Sequence, residues 1–549
     1  MERDAFAAVA DVVDLPTAVI PASLRNDLLP SRPDDRMGGG IADRFVKAIG
    51  RRMDSGQYVP DRAVSVMVPK VGFTTRVASL LTLTDRVVYV ALVEPLRTRI
   101  EKGLVSSEVL MWPRGVETAP AFISFEKRPL TLPGAIVVKA DVTGFYESVD
   151  HAVLRDQLVQ LTGKTELVTA LIEFLGLVMG GPRGLPQGLA TSDVLATAYL
   201  ASVDSDMLQA GYDYWRHGDD IRMVVADRDV ARRALHELSM SMRAIRLLLN
   251  GEKSFAMPRA SYEGQLTAVS HARSEIEERL VAEEEESLIA GESARSLDDI
   301  LDEADIDEQD RWDAFYHGDL DRQQEIMDII RPLLKPADLD VALAQFEEAV
   351  NRAPGSGHGE ELGREIFHGL LTSALTTLNA GRSPDAVKRV AKLISDFPEQ
   401  TEALATYLMA VTGTSSADVQ VEATSALLGY RLGWQQAWLL HVLERAAQVS
   451  PLEDWVVATV EILASDEDTE WLPRVHAARV LATSGQLPKD LHRRLWVRVP
   501  APLRVDLVVA AVAMSGHATW AEAFVDSLHA DPLYDVVLKA SINSGSEGK

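Results

Sequence analysis

The segment YDYWRHGDDIRMVVAD, residues 212–227, constrains this chain more than any other. Two runs rich in Tyr, Trp, Ile, Met and Val flank His217-Gly218-Asp219-Asp220, which predicts a β-hairpin turning at the glycine. The tip then carries two adjacent carboxylates. A second apolar run, AIVVKADVTGFYESVD (135–150), predicts a strand ending at Asp141. Acidic strand ends brought side by side make a site for hard divalent cations, which take oxygen ligands and need few protein groups.

The sequence has no cysteine, so disulfides, thiolate zinc sites and cysteine nucleophiles are excluded. Hydrophobic residues make up 47%, enough to fold the bulk of the chain. The N-terminal MERDAFAAVADVVDL lacks the basic-then-apolar layout of a signal peptide, and no apolar run approaches the ~20 residues that span a bilayer. The expectation is a soluble, cytoplasmic protein with no membrane partner. The net charge of −27 argues against nucleic acid as a ligand, but it is unevenly placed. Residues 1–265 hold 31 Lys+Arg against 33 Asp+Glu, a net of −2, whereas the remainder holds 24 against 49, a net of −25. Two regions with different tasks are expected.

Periodicity divides the chain further. Residues 1–60 read as helices interrupted by LLPSRPDDRMGGG, and TRVASLLTLTDRVVYVALVEPLRTRIE ends in an amphipathic helix. GGPRGLPQG is a tight turn. TSDVLATAYLASVDSDMLQAG predicts one helix capped by Thr191, Ser192 or Asp193 and stopped by Gly211. LNGEKSFAM is a turn and then a strand. Residues 266–334 are strongly acidic and read as a helical connector or thumb-like region. From 335 to 549 short amphipathic helices such as DAVKRVAKLISDF, DWVVATVEILASD and RVDLVVAAVAMSG follow one another without a strict period. Stacked helix pairs or a compact bundle both satisfy that pattern.

Phosphoryl transfer to a growing nucleic acid needs two cations ~4 Å apart, one at the attacking oxygen and one at the triphosphate. Asp141 with Asp219, and Asp220 beside them, meets that need if their strands are neighbours. A lone Asp-Asp pair in a turn is weak evidence. Here four elements occur in order: KADVTGFYESVD (139–150), GLPQGLATS (184–192), WRHGDD (215–220) and LNGEKS (249–254). This ordered set resembles palm motifs A to D of reverse transcriptases. Arg76, nine residues before Asp85-Arg86, matches a finger motif of the same family. The resemblance covers about residues 60–260 and is specific as a set.

It implies an α+β right-hand polymerase palm and fingers over 1–265, followed by an all-α HEAT-like helical repeat domain, and an RNA-directed DNA polymerase activity. Asp141, Asp219 and Asp220, with the Val142 carbonyl, would hold two Mg²⁺ ions, for which Mn²⁺ can substitute. Tyr146, five residues after Asp141, would pack under the sugar of the incoming nucleotide and clash with a 2′-hydroxyl, with Phe145 beside it. Gln187 and Gly188, after Pro186, would form a platform for the nascent base pair. Lys253 would sit at the triphosphate and protonate the leaving pyrophosphate, or is a solvated turn lysine. Lys70 and Arg76 would clamp the triphosphate from the fingers. Arg86 is a structural candidate, paired with Asp85 or an adjacent helix.

One triplet departs from the family. The aromatic residue two positions before the Asp pair is replaced by His217, and Gly218 gives the spelling GDD of viral RNA-dependent RNA polymerases. Those enzymes place an Asp where this chain has Tyr146, and their second motif differs from GLPQG. DNA synthesis is the favoured reading, RNA synthesis the alternative, and a scaffold acting through its helical repeats a third. RAPGSGH, Arg352 to His358, has the spacing of a ribonuclease pair, but Pro354 and the glycines forbid the helix that chemistry needs. His151 reads as a helix-start residue, and the EEEES run at 283–287 as a solvated face rather than a calcium loop.

A palm fused to an acidic helical region resembles the bacterial defence-associated and abortive-infection reverse transcriptases. That resemblance implies anti-phage activity, dNTP substrates, a DNA product, a homo-oligomer and, in some members, a non-coding RNA partner or priming from a protein hydroxyl. Tyr316, Tyr407, Tyr430 and Tyr534 are the candidate primers beyond residue 265. A negative repeat region would repel nucleic acid and steer it toward the near-neutral half.

Overall fold

A computed structural model describes residues 4–22, 28–35, 43–70, 74–104, 124–287, 294–307, 310–311, 314, 320–352, 361–429 and 431–544. The described residues are mostly helical, with two small antiparallel sheets among them. The first pairs β1 (Val64–Pro69) with β2 (Thr75–Leu80). The second has the order β4-β5-β3-β6, with β3 Ile136–Ala140, β4 Asp213–His217, β5 Asp220–Val225 and β6 Phe255–Pro258. Its strands bury both faces. Val137, Trp215, Val224 and Met257 join one core, whereas Ile136, Val138, Ala140, Tyr214, Ile221 and Met223 join another. This period-2 division follows from the pleat. The Arg228–Ala244 helix, capped by the Asp227 carboxylate, packs on β3, β5 and β6.

The Leu83–Gly103 helix departs from the amphipathic expectation. Every residue from Asp85 to Val93 is buried, because other helices cover it on all sides. Its two buried charges are satisfied separately. Asp85 accepts from Tyr58, Thr82 and the Asp61 amide. Arg86 reaches back to Asp34 and Asp35, at 2.7 and 2.8 Å, rather than to Asp85. The helix expected over 191–210 is broken at Leu200 into Ala190–Tyr199 and Ala201–Gln209. It begins after Leu189 without a side-chain cap, because Ser192 and Asp193 bond elsewhere.

The Arg259–Ser287 helix runs unbroken past residue 265. Beyond it, helices Pro336–Arg352, Glu361–Gly381, Thr401–Leu427, Gly433–Val449, Trp471–Thr483, Arg504–Ser515 and Pro532–Ser544 each pack on the next in that row. Thr401–Leu427 bends at Ser415, whose φ of −144° interrupts the helix. All residues from Leu472 to Ala482 are buried, which marks Trp471–Thr483 as the interior of the stack.

The row also closes onto the N-terminal half. Val505, Val508, Leu528 and Val536–Leu538 share a core with the Leu83–Gly103 helix. Val66, Val68, Ala78 and Leu80 of the β1–β2 hairpin share another with the C-terminal helices. Trp434 donates its indole N–H to the Leu28 carbonyl at 2.6 Å. Among the described residues no helix is long and apolar enough to cross a membrane.

Candidate functional site

The register of the four-stranded sheet assembles the site. The β3–β5 ladder ends with Ala140 opposite Ile221. Asp141 follows Ala140 and Asp220 precedes Ile221, so both lie at this end of the ladder. The β4–β5 pair closes with His217 opposite Asp220, which leaves Gly218 and Asp219 as a two-residue turn. Gly218 has φ of 60°, a conformation that costs glycine little and other residues more. Asp141, Asp219 and Asp220 thus converge at one end of the sheet.

Buried polar contacts fix both strand ends. Arg216 is 1% exposed and forks onto Asp204 at 2.7 and 2.9 Å. It also donates to the Gly218 carbonyl at 3.0 Å and the Thr197 carbonyl at 3.1 Å. Tyr214 gives Asp204 a further bond of 2.9 Å. The turn that presents Asp219 is therefore braced from below by a satisfied ion pair. On the other edge, the Asn250 amide donates to the Asp141 carbonyl at 2.8 Å and the Thr143 amide to the Leu248 carbonyl at 2.9 Å. Val142, which faces Leu249 between these bonds, turns its own carbonyl away from them. The Asn250 side chain donates to the Asp141 carboxylate at 3.3 Å.

The carboxylates are short of counter-charge. Burial, then Asp220 and Asp141, pushes the Asp219 carboxyl up to about 6. Lys253 Nζ lies 3.6 Å from Asp141, and Arg222 lies 3.6 Å from Asp220. Lys70, from the end of β1, lies within electrostatic reach of the same centre. Burial, then Arg76 and Lys253, lowers its pKa, and Asp219 and Asp141 oppose that. Arg76 on β2 is also lowered by burial, and the carboxylate that opposes this is Glu402 of the C-terminal helices. Among the described residues no three carboxylate or imidazole side chains are close enough to grip one ion by themselves. The donors still suit magnesium, which binds through one or two carboxylates and takes its remaining oxygens from water and substrate phosphates.

Phe145, Tyr146, Asp193, Ala196, Thr197, Arg216 and His217–Asp220 line a cleft of about 140 Å³ beside these carboxylates. Phe145 is buried and meets Tyr146 edge-on at 5.6 Å, so it supports the ring as well as lining the cleft. The Tyr146 hydroxyl donates to the Asp193 carboxylate. Gln187 and Gly188 are absent from that lining. They belong to a turn pinned at several points. The Ser79 amide donates to the Gln187 carbonyl at 3.2 Å, and the Ser192 hydroxyl to the Pro186 carbonyl at 2.6 Å. The Gly184 and Leu185 amides donate to the Val149 and Tyr146 carbonyls at 2.8 and 2.9 Å. Gly188 has φ of 90°, which the turn requires. His151 starts its helix and meets the Gly184 carbonyl at 2.8 Å.

Asp193, Asp204, Arg216 and Asn250 are site residues that the sequence motifs did not reveal. An arginine between Trp215 and His217 in an apolar strand was the one available signal, since a buried guanidinium demands a carboxylate. Tyr407 is fully buried and donates to the Ser383 carbonyl at 2.8 Å, so it presents no hydroxyl to a nucleotide. Tyr534 packs on Trp496 with ring centroids 5.7 Å apart. Tyr316, Tyr430 and His358 lie outside the described residues.

No family model matches this sequence, and no curated protein matches it. Solved structures similar to it include telomerase from Candida albicans in complex with a fragment of telomeric RNA, at 10% identity and a TM-score of 0.30. That alignment covers 67% of this chain and 65% of the telomerase chain. A likeness this loose assigns neither fold nor function here.

Proposed function

We propose that this chain is a nucleotidyltransferase of the reverse-transcriptase kind, which adds deoxynucleotides to a DNA strand at the Asp141–Asp219–Asp220 end of its four-stranded sheet. The observation that supports the reading is the register: the β3–β5 ladder ends at Ala140–Ile221, beside Asp141 and Asp220, with Asp219 in the adjoining turn. These three residues and the Val142 carbonyl would hold two magnesium ions. Bound there, the ions would supply activation of the attacking 3′ oxygen and charge neutralisation at the triphosphate. Lys253, 3.6 Å from Asp141, would meet the phosphates, and Lys70 and Arg76 would clamp them from the β1–β2 hairpin. Lys253 is 68% exposed in its side chain, free enough to follow a phosphate or to protonate pyrophosphate as it leaves. The Tyr146 ring in the cleft would exclude a 2′-hydroxyl. Gln187 and Gly188 would support the nascent pair.

The ordered motifs and the acidic helical half together favour a role in bacterial defence against phage. Priming from a protein hydroxyl, a non-coding RNA partner and assembly as a homo-oligomer belong to that reading. The stacked C-terminal helices would serve as a HEAT-like platform for such assembly.

Purified protein with Mg²⁺ or Mn²⁺ and labelled nucleotides tests the proposal. Incorporation of dNTPs that disappears in D219A is the expected result. A preference for NTPs would overturn it in favour of RNA synthesis, the reading that the His217-Gly218-Asp219-Asp220 spelling supports. Undiminished phage protection by D141A would show that the helical half acts without catalysis.

A further inference from the structure

Two consecutive residues at the start of the Ala190–Tyr199 helix tie three parts of the site together. Ser192 joins the Tyr89 hydroxyl at 2.9 Å and the Pro186 carbonyl at 2.6 Å. Asp193 accepts a hydrogen bond from the Tyr146 hydroxyl. Asp193 and Tyr146 both line the cleft, together with Asp219 and Asp220. A phenol ring hinged at Cβ can swing about χ1 and χ2. Phe145, edge-on at 5.6 Å, limits it on one side, and the bond to Asp193 fixes its far end.

We infer that Asp193 is a positioning residue for sugar selection: its carboxylate holds the Tyr146 ring across the cleft, where the ring decides between deoxyribose and ribose. The inference rests on the polymerase reading given above. A hydrogen bond to a charged acceptor is stronger than a neutral one, and it also sets direction. Without it the ring keeps its bulk but loses a fixed place. Selection then drops although the excluding group is still present. A steric gate alone would leave Y146F as selective as the native protein, since the ring is intact.

The test compares native protein, D193A, D193N, Y146F and the D193A/Y146F double variant for dATP against ATP. Selection is read in two ways: as competitive incorporation, and as equilibrium binding of each nucleotide without turnover. D193A and Y146F should each reduce the dATP preference about tenfold, the size expected for one charge-assisted hydrogen bond. The double variant should be no worse than either single one, because both remove the same bond. D193N keeps an acceptor oxygen and should restore selection to within about twofold of native. An unchanged preference in D193A, or losses that multiply in the double variant, overturns the inference. If D193A fails to fold, an unchanged preference in Y146F overturns it instead. A protein that binds dATP selectively but extends no strand overturns the polymerase reading, and the binding arm still decides the role of Asp193. Normal extension with an unchanged D193A preference overturns the inference alone.

Discussion

Two clusters of buried charge in this molecule behave in opposite ways. At the end of the four-stranded sheet burial, then Asp220 and Asp141, raises the Asp219 carboxyl to about 6. At the junction of the two halves Glu444 is also buried, which alone would raise it. There Arg479 lies 2.8 Å away, and Arg479, with His441 and His476, brings it down to about 2. The second cluster continues as a chain of alternating charges. Arg479 pairs with Asp506 at 3.0 Å, Asp506 with Arg32 at 3.2 Å, and Arg32 with Asp34 at 3.7 Å. Asp34 pairs in turn with Arg86 at 2.7 Å, on the Leu83–Gly103 helix. Every carboxylate in that chain has a guanidinium. At the sheet site Lys253 and Arg222 each lie 3.6 Å from a carboxylate, Asp141 and Asp220, but among the described residues no cation is paired with Asp219. A cluster that satisfies itself holds a structure together, and one with an unpaired carboxylate is where the proposed metal role would act.

The contrast can be broken most directly at Asp219. D219N should lower nucleotide incorporation on the order of 10³-fold, about 4 kcal/mol of barrier. It should also raise the melting temperature at pH 8, because it removes an unfavourable charge. A fall in Tm would place Asp219 with the structural cluster. R479A should do the reverse at the junction. It strands Glu444 and Asp506 without their shared partner and should cost about 3–5 kcal/mol, read as a lower urea midpoint. An unchanged midpoint would show that the junction is held by apolar packing alone.

A pH series separates the two clusters again. The folded pKa of Asp219 lies above its ordinary value of 3.8, so its contribution to stability is present below that value and is lost as pH rises through about 6. The D219N gain in Tm should therefore be clear at pH 8 and vanish near pH 4. The Mg²⁺ concentration that incorporation needs should rise as pH falls below about 6, where protonation competes with the metal; an unchanged requirement between pH 5 and 8 would count against Asp219 as a ligand. Glu444 has the opposite sign. Its contribution is present above its ordinary value of 4.5 and is lost as pH falls toward about 2. The smallest effect is expected at Lys253. Its side chain is mostly exposed and 3.6 Å from Asp141, so K253A should slow incorporation only a fewfold in single-turnover kinetics, with Tm unchanged.

Much of the candidate site was legible in the chain because strands have a period of two. Apolar residues on both sides of Gly218 and before Asp141 announce the strand ends, and the order of the motifs places them together. Asp193 was legible only as a helix cap. Its bond to Tyr146 depends on a neighbour 47 positions away. The Leu83–Gly103 helix reads as amphipathic in sequence, yet Asp85 and Arg86 are buried in it. Beyond the helix's own N-cap Thr82, their partners Tyr58, Asp34 and Asp35 are supplied by other segments. The Arg32–Asp35 stretch read as a polar break, yet it carries the junction's ion pairs.

The local order of hydrophobic and acidic residues thus determined a hairpin with two carboxylates at its turn and a strand that ends in a third. Only the tertiary structure decided that Asp219 lacks a paired cation among the described residues, while the more deeply buried Glu444 and Asp506 have theirs. It also decided that the acidic C-terminal helices fold back to share two cores with the N-terminal half. The physical reason is the same in each case. Hydropathy patterning is a property of neighbours in sequence, whereas desolvation and charge compensation are set by neighbours in space.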